Sequence, residues 1–138
     1  MMYGFKKQFV EPILAGTKTG TIRAPRAGRC RHARPGDALH LKSGPRFRPM
    51  VFATTMCTDV MEVSLLGMGT EAPSVVAREL GGGRLLEMRQ GKFSLDRFAI
   101  CDGFSDWEAL CRFWWDTHKV REFSGVWIRW VGAEVCAR

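Results

Sequence analysis

The stretch Pro12-Ile13-Leu14-Ala15-Gly16-Thr17-Lys18-Thr19-Gly20-Thr21-Ile22-Arg23 changes character twice. It opens apolar, halts at a glycine and continues as alternating polar and β-branched residues. Gln8 to Ala15 reads as a short helix, with Pro12 tolerated only near its first turn because proline has no amide proton to donate. Gly16 is a natural stop, since glycine enters the left-handed conformation without a Cβ penalty. Thr19 to Arg23 is rich in β-formers and predicts a strand. Two cations, Lys18 and Arg23, sit among three threonines and two glycines. Such a segment can present ammonium, hydroxyl and guanidinium groups to one polar or anionic ligand. The competing reading is a solvated strand edge. The spacing does not fit a G-x-x-x-x-G-K-[ST] phosphate loop.

Working outward, Met2 to Phe5 predicts a first strand. Ala24 to Pro35 is an arginine-containing loop, and Arg34-Pro35-Gly36-Asp37 a turn, because proline presets φ and glycine supplies φ > 0. Ala38 to Lys42 alternates as a strand, and Pro49 to Val63 predicts a longer strand continuing past a bend. Pro73 to Leu80 has a helical pattern ending at three glycines. Arg84 to Arg89 predicts a short strand, and Ser94 to Cys101 a short helix. Ser105 and Glu108 match the S-x-x-E capping box that opens a helix. Trp107, Leu110, Cys111, Trp114 and Trp115 then fall on one helical face, which reads as core. Phe123 to Val131 closes the chain as a strand, with Val126, Ile128 and Trp130 on one face and Trp127 and Arg129 on the other. This order predicts one α+β domain over residues 1–138: a mixed or barrel-like sheet with helices over its side or mouth.

The chain of 138 residues carries a net charge of +7, concentrated in one window. Arg23, Arg26, Arg29, Arg31, Arg34, Lys42, Arg46 and Arg48 share that window with a single acid, Asp37. The remainder balances at 13 cations and 13 acids of the 21 and 14 in the chain. A concentrated basic stretch attracts phosphates by Coulomb energy and counterion release, which points to a nucleic-acid or nucleotide partner. A solubilising loop is the alternative. No apolar run approaches the ~18 residues of a membrane span. Five widely spaced cysteines without a C-x-x-C pair suggest neither a disulfide framework nor a zinc ribbon, so a reduced, cytoplasmic protein is the simplest expectation. Cys30 and His32 could supply two metal ligands, but no second pair stands at ligand spacing; neither a metal nor any other cofactor is expected.

These residues resemble the ASCH (ASC-1-homology) family of the PUA-like superfamily. The resemblance rests on Gly16-x-Lys18-x-x-Thr21-x-Arg23 and on Arg34-Pro35-Gly36-Asp37 with Leu39 and Leu41. Asp102-Gly103-Phe104-Ser105 leading into the tryptophan-rich helix, and the aromatic last strand around Trp127 and Trp130, complete it. It spans nearly the whole chain. It implies a small PUA-like mixed β-barrel with flanking helices and a cleft that binds RNA or a modified nucleoside. One small bacterial branch hydrolyses N(4)-acetylcytidine with a Lys, a Thr and a Glu. By position these fall on Lys18, Thr21 and Asp102, the last a departure from Glu, and this chain carries extra sequence around residues 64–93.

Amide hydrolysis needs a nucleophile, a base and charge stabilisation. Thr21 is the candidate nucleophile, Lys18 its base if burial and Arg23 lower its pKa, and Asp102 an orienting acid. The binding reading uses the same residues and Gly16, with Arg23, Arg26, Arg29 and Arg31 on phosphates and Phe5 or Phe104 stacked on a base. A ribonuclease using Lys18, His32 or His40 is a further alternative. An adaptor role would show as an apolar patch at Trp127.

Overall fold

A computed structural model describes residues 1–26, 31–45, 48–80, 82–89 and 94–135. Arg29 and Cys30 lie outside the described residues. The chain runs β1 (Met2–Gly4), a 3-10 turn (Lys7–Phe9), α1 (Val10–Ala15), β2 (Gly20–Arg23), β3 (Ala38–Ser43) and β4 (Met50–Leu66). Then follow β5 (Ser74–Glu79), β6 (Leu85–Arg89), α2 (Ser94–Cys101), α3 (Trp107–His118), β7 (Phe123–Trp130) and β8 (Glu134–Val135). The fold is α+β, built on one mixed sheet.

Strand β4, 17 residues long, is the spine. Its first half pairs antiparallel with β3 and β8, and its second half with β5 and β7. A register shift between Cys57 and Asp59 marks the change of neighbours, the place where an extra residue bends and twists a strand. β1 joins β3 in parallel, β6 joins β5, and β2 joins β7. Among the described residues no ladder links β2 back to β1, so the sheet is branched and bent rather than a closed barrel. No helix is long and apolar enough to cross a membrane.

Three expectations about elements need correcting. Pro73 to Leu80 is not helical: Ser74–Glu79 is β5, held by pairing to both β4 and β6. Its β-branched Val75-Val76 pair suits a pleated, half-buried surface. The cap of α3 is Asp106, not Ser105: Asp106 Oδ1 accepts the Ala109 amide proton at 2.8 Å. Trp127 is not on an outer face. It is buried, and its ring meets Phe98 of α2 at 4.9 Å.

Two apolar clusters result. One lies between α2, α3 and the β4–β5–β7 part of the sheet, with Met61, Leu65, Phe98, Leu110, Trp114 and Trp127. The other joins β1, α1 and β3 to the opposite face of β7, with Tyr3, Phe9, Ile13, Leu41, Ile128 and Trp130. β7 is therefore buried on both faces. Phe104 and Phe113 pack against both clusters, and the seam they mark holds the cavity described next.

Candidate functional site

The α1–β2 junction is pinned from three sides. Gly16 caps α1 at φ 82, and the amides of Thr17 and Lys18 both donate to the Pro12 carbonyl at 3.0 Å. Thr19 donates to the Cys101 carbonyl at the end of α2, and its own carbonyl accepts from Trp130 of β7, both at 2.9 Å. This ties the segment to α2 and the sheet, and the Lys18 side chain turns inward, only 2% exposed.

The Lys18 ammonium spends its three protons inside the protein. Nζ donates to the Gly20 carbonyl at 2.7 Å, to the Asp102 carbonyl at 2.5 Å and to Asp102 Oδ1 at 3.3 Å. The Phe9 ring lies 4.9 Å away, close enough for a cation–π attraction. Burial pushes the Lys18 pKa down and the Asp102 pKa up, each opposed by the other's charge. Charge-assisted bonds to three oxygens hold this lysine as a cation. Among the described residues Lys18 bonds Asp102 through Oδ1, and Oδ2 has no hydrogen-bond partner.

Thr21, on β2 opposite Ile128, is buried at 6% exposure, which excludes a solvated strand hydroxyl. Its Oγ1 accepts from Arg23 Nε at 3.2 Å, leaving the hydroxyl proton free to donate. Arg23 Nη2 donates to the Gly4 carbonyl at 2.6 Å, and the guanidinium lies 4.9 Å from the Phe5 ring centre. The group is fixed at two points and keeps further donors.

Lys18, Thr21, Arg23 and Asp102 meet in a cavity of about 360 Å³. Its walls are aromatic: Phe5, Phe9, Phe104, Phe113, Trp114 and Phe123. Phe9, Phe104 and Phe113 pack mutually at centroid distances of 5.2 to 5.6 Å. Lys6 and His118, both exposed, line the same space. The cavity has a buried polar floor, apolar walls and a cationic rim.

Sequence reasoning brought together Lys18, Thr21, Asp102, Arg23, Phe5 and Phe104, and all six line this cavity. The other described candidates do not line it. Gly16 is a helix cap outside it. Arg26 lies over the Tyr3 ring, 5.4 Å away, and donates to the Arg31 carbonyl at 3.3 Å. Arg31 pairs with Asp37 at 2.9 Å. Lys18, expected as the base for Thr21, makes no hydrogen bond to it among the described residues; its ammonium donates to Gly20 and Asp102 instead. His40 is exposed on β3, and His32 is locked in structure. His32 Nε2 lies 2.7 Å from the Ala24 carbonyl, so it must donate, and Nδ1 accepts from the Tyr3 hydroxyl at 3.1 Å. Sequence reasoning missed Lys6, Phe9, Phe113, Trp114, His118 and Phe123. Phe113 had a readable signal: it is the aromatic of α3 that falls off the core stripe. The others show no such mark, since an aromatic counted as core is indistinguishable in sequence from a cavity wall.

No protein-family model, curated protein or solved structure matches the chain.

Proposed function

We propose that the chain is an RNA- or nucleotide-binding protein of the ASCH type, with a PUA-like sheet, that takes one base into this cavity. The observation carrying the reading is the floor itself: a buried Lys18–Asp102 pair beside Thr21 and Arg23, at the end of an aromatic-walled hollow. Asp102 Oδ2 offers an acceptor, and the Thr21 hydroxyl and Arg23 guanidinium offer donors. A flat heterocycle whose edge carries an amino group beside ring nitrogen and carbonyl acceptors, as cytosine does, matches that set. Flat rings also suit walls of phenylalanine and tryptophan, and the volume lies in the range of small-ligand sites. The parallel β1–β3 pair and the mixed sheet support the fold assignment. The free thiols of Cys57, Cys101 and Cys111 support a reduced, cytoplasmic setting.

Binding is favoured over turnover because Lys18 is fully engaged as a donor and makes no bond to Thr21. A base needs a free lone pair within reach of the proton it takes. The second reading, hydrolysis of an acylated nucleoside such as N(4)-acetylcytidine, keeps one observation in its favour: burial lowers the pKa of Lys18 and brings it into one cavity with Thr21 and Asp102.

The test is titration of the protein with the four ribonucleoside 5′-monophosphates and N(4)-acetylcytidine, with mass spectrometry of the products. At least one compound is expected to bind without conversion. Thr21→Val is expected to weaken it about tenfold, the cost of an unmet buried hydrogen bond. Release of acetate that disappears in Thr21→Val establishes the hydrolase instead. No binding and no conversion across the panel removes both readings.

A further inference from the structure

Resting on the base-binding reading, we infer a path for the chain attached to the bound base: single-stranded RNA leaves the cavity across the C-terminal end of α3, over Trp115, Lys119 and Arg121. Trp115 was expected on the buried stripe of α3, but it is 41% exposed while Trp107, Leu110, Cys111 and Trp114 are buried. Two cations attend its ring: Arg121 Cζ at 4.5 Å and Lys119 Nζ at 5.6 Å. Their backbones are anchored. Lys119, the left-handed cap of α3 at φ 55, donates its amide to the Trp115 carbonyl, and the Arg121 carbonyl accepts the Met68 amide proton at 2.8 Å. Among the described residues neither cation is in an ion pair, and these two are the ones that stand over an exposed indole. The adjacent carboxylates of Asp116 and Glu122 are exposed and form no ion pair with them.

The patch continues the cavity. His118 lines the rim and stands three residues from Trp115, so the two are neighbours on the helix surface. An exposed aromatic beside unpaired cations is what single-stranded nucleic acid uses: a base stacks while its phosphates meet the charges. A lysine after a helix also answers the helix dipole, but that does not account for an indole left in water beside it. The arginine-rich loop is the competing route, yet Arg31 pairs with Asp37, and the ring under Arg26 is Tyr3, which is buried and offers no face to a base.

The experiment compares fluorescence anisotropy of labelled ribo-homo-oligomers of about eight nucleotides with binding of the matching 5′-monophosphates. The proteins are wild type, Trp115→Ala, Lys119→Ala/Arg121→Ala and Arg26→Ala. Trp115→Ala is expected to weaken the oligomer roughly fivefold or more and leave the mononucleotide unchanged. The double variant is expected to flatten the salt dependence by about 0.7 per cation removed. Unchanged oligomer affinity in both variants, loss confined to Arg26→Ala, or an equal loss for mononucleotide and oligomer overturns the inference while leaving the base reading standing. If wild type binds neither mononucleotide nor oligomer, the base reading itself fails and this path falls with it.

Discussion

Lys18 and Asp102 are 2% and 5% exposed and depend on each other. Two charges removed from water are tolerated only with a close partner and filled hydrogen bonds, and removing one leaves the other stranded. Lys18→Met is therefore expected to cost about 3–5 kcal/mol in urea denaturation, with much of that recovered in Lys18→Met/Asp102→Leu; a double variant no more stable than the single one would show that the pair is not the reason. Gly103 is the second sensitive residue. It sits at φ 99, and a Cβ there would lie 2.7 Å from Lys18 Cδ and 2.9 Å from Phe9 Cδ1. Gly103→Ala is expected to lose about 1–3 kcal/mol by the same assay and to impair nucleotide binding. His32 supplies a pH dependence. Burial lowers its pKa from the ordinary 6.5, opposed by the Ala24 carbonyl, with Arg26 and Arg23 adding to the fall. The folded state thus prefers the neutral ring. Its contribution is complete above pH 6.5 and drains as pH falls towards the lower folded value, where the unfolded chain binds more protons. The melting temperature of His32→Gln is expected to fall less than that of wild type between neutral and mildly acidic pH.

At the scale of elements, helix starts were nearly legible. The serine at 105 and the glutamate at 108 fit a capping pattern, and the structure moved the cap by one residue, because Asp106 is extended and reaches the Ala109 amide. Asp106→Ala is expected to cost about 1 kcal/mol and Ser105→Ala under about 0.5 by thermal denaturation; equal losses would restore the serine cap. The misread segment at Pro73 to Leu80 has a different cause. Eight residues are too few to separate a period of two from one of 3.6, and strand pairing on both sides decided the matter. β7 repeats the lesson. Its alternation was read correctly as Val126, Ile128 and Trp130 against Trp127, but alternation alone does not say which face meets water. α2 covers the Trp127 face through Phe98.

For the molecule as a whole, Phe104 and Phe113 belong to both apolar clusters. One cooperative unfolding transition is expected, shifted upward by anything that fills the seam between them. A nucleotide supplied at 100 times its Kd should add about 2.7 kcal/mol to the unfolding free energy, read by scanning calorimetry. Two separated transitions, only one of them responsive to nucleotide, would contradict the shared seam. The whole-chain charge of +7 does not say which cations are spent inside the protein. Arg31 is neutralised by Asp37, while Lys119 and Arg121, outside the basic window, stay unpaired among the described residues.

The sequence by itself determined what depends on neighbours along the chain: the glycine stop after α1, the β-branched strand at Thr19 to Arg23, the amphipathic stripe of α3 and the polar character of positions 18, 21, 23 and 102. Only the tertiary structure decided that Lys18 meets a carboxylate 84 residues away, that six aromatic rings wall one hollow, and which arginines remain free. Those outcomes follow from sheet register, from helices closing over both faces of β7 and from the need to pair buried charge. None of these has a counterpart in local spacing, because each is the free energy of bringing distant parts of the chain together.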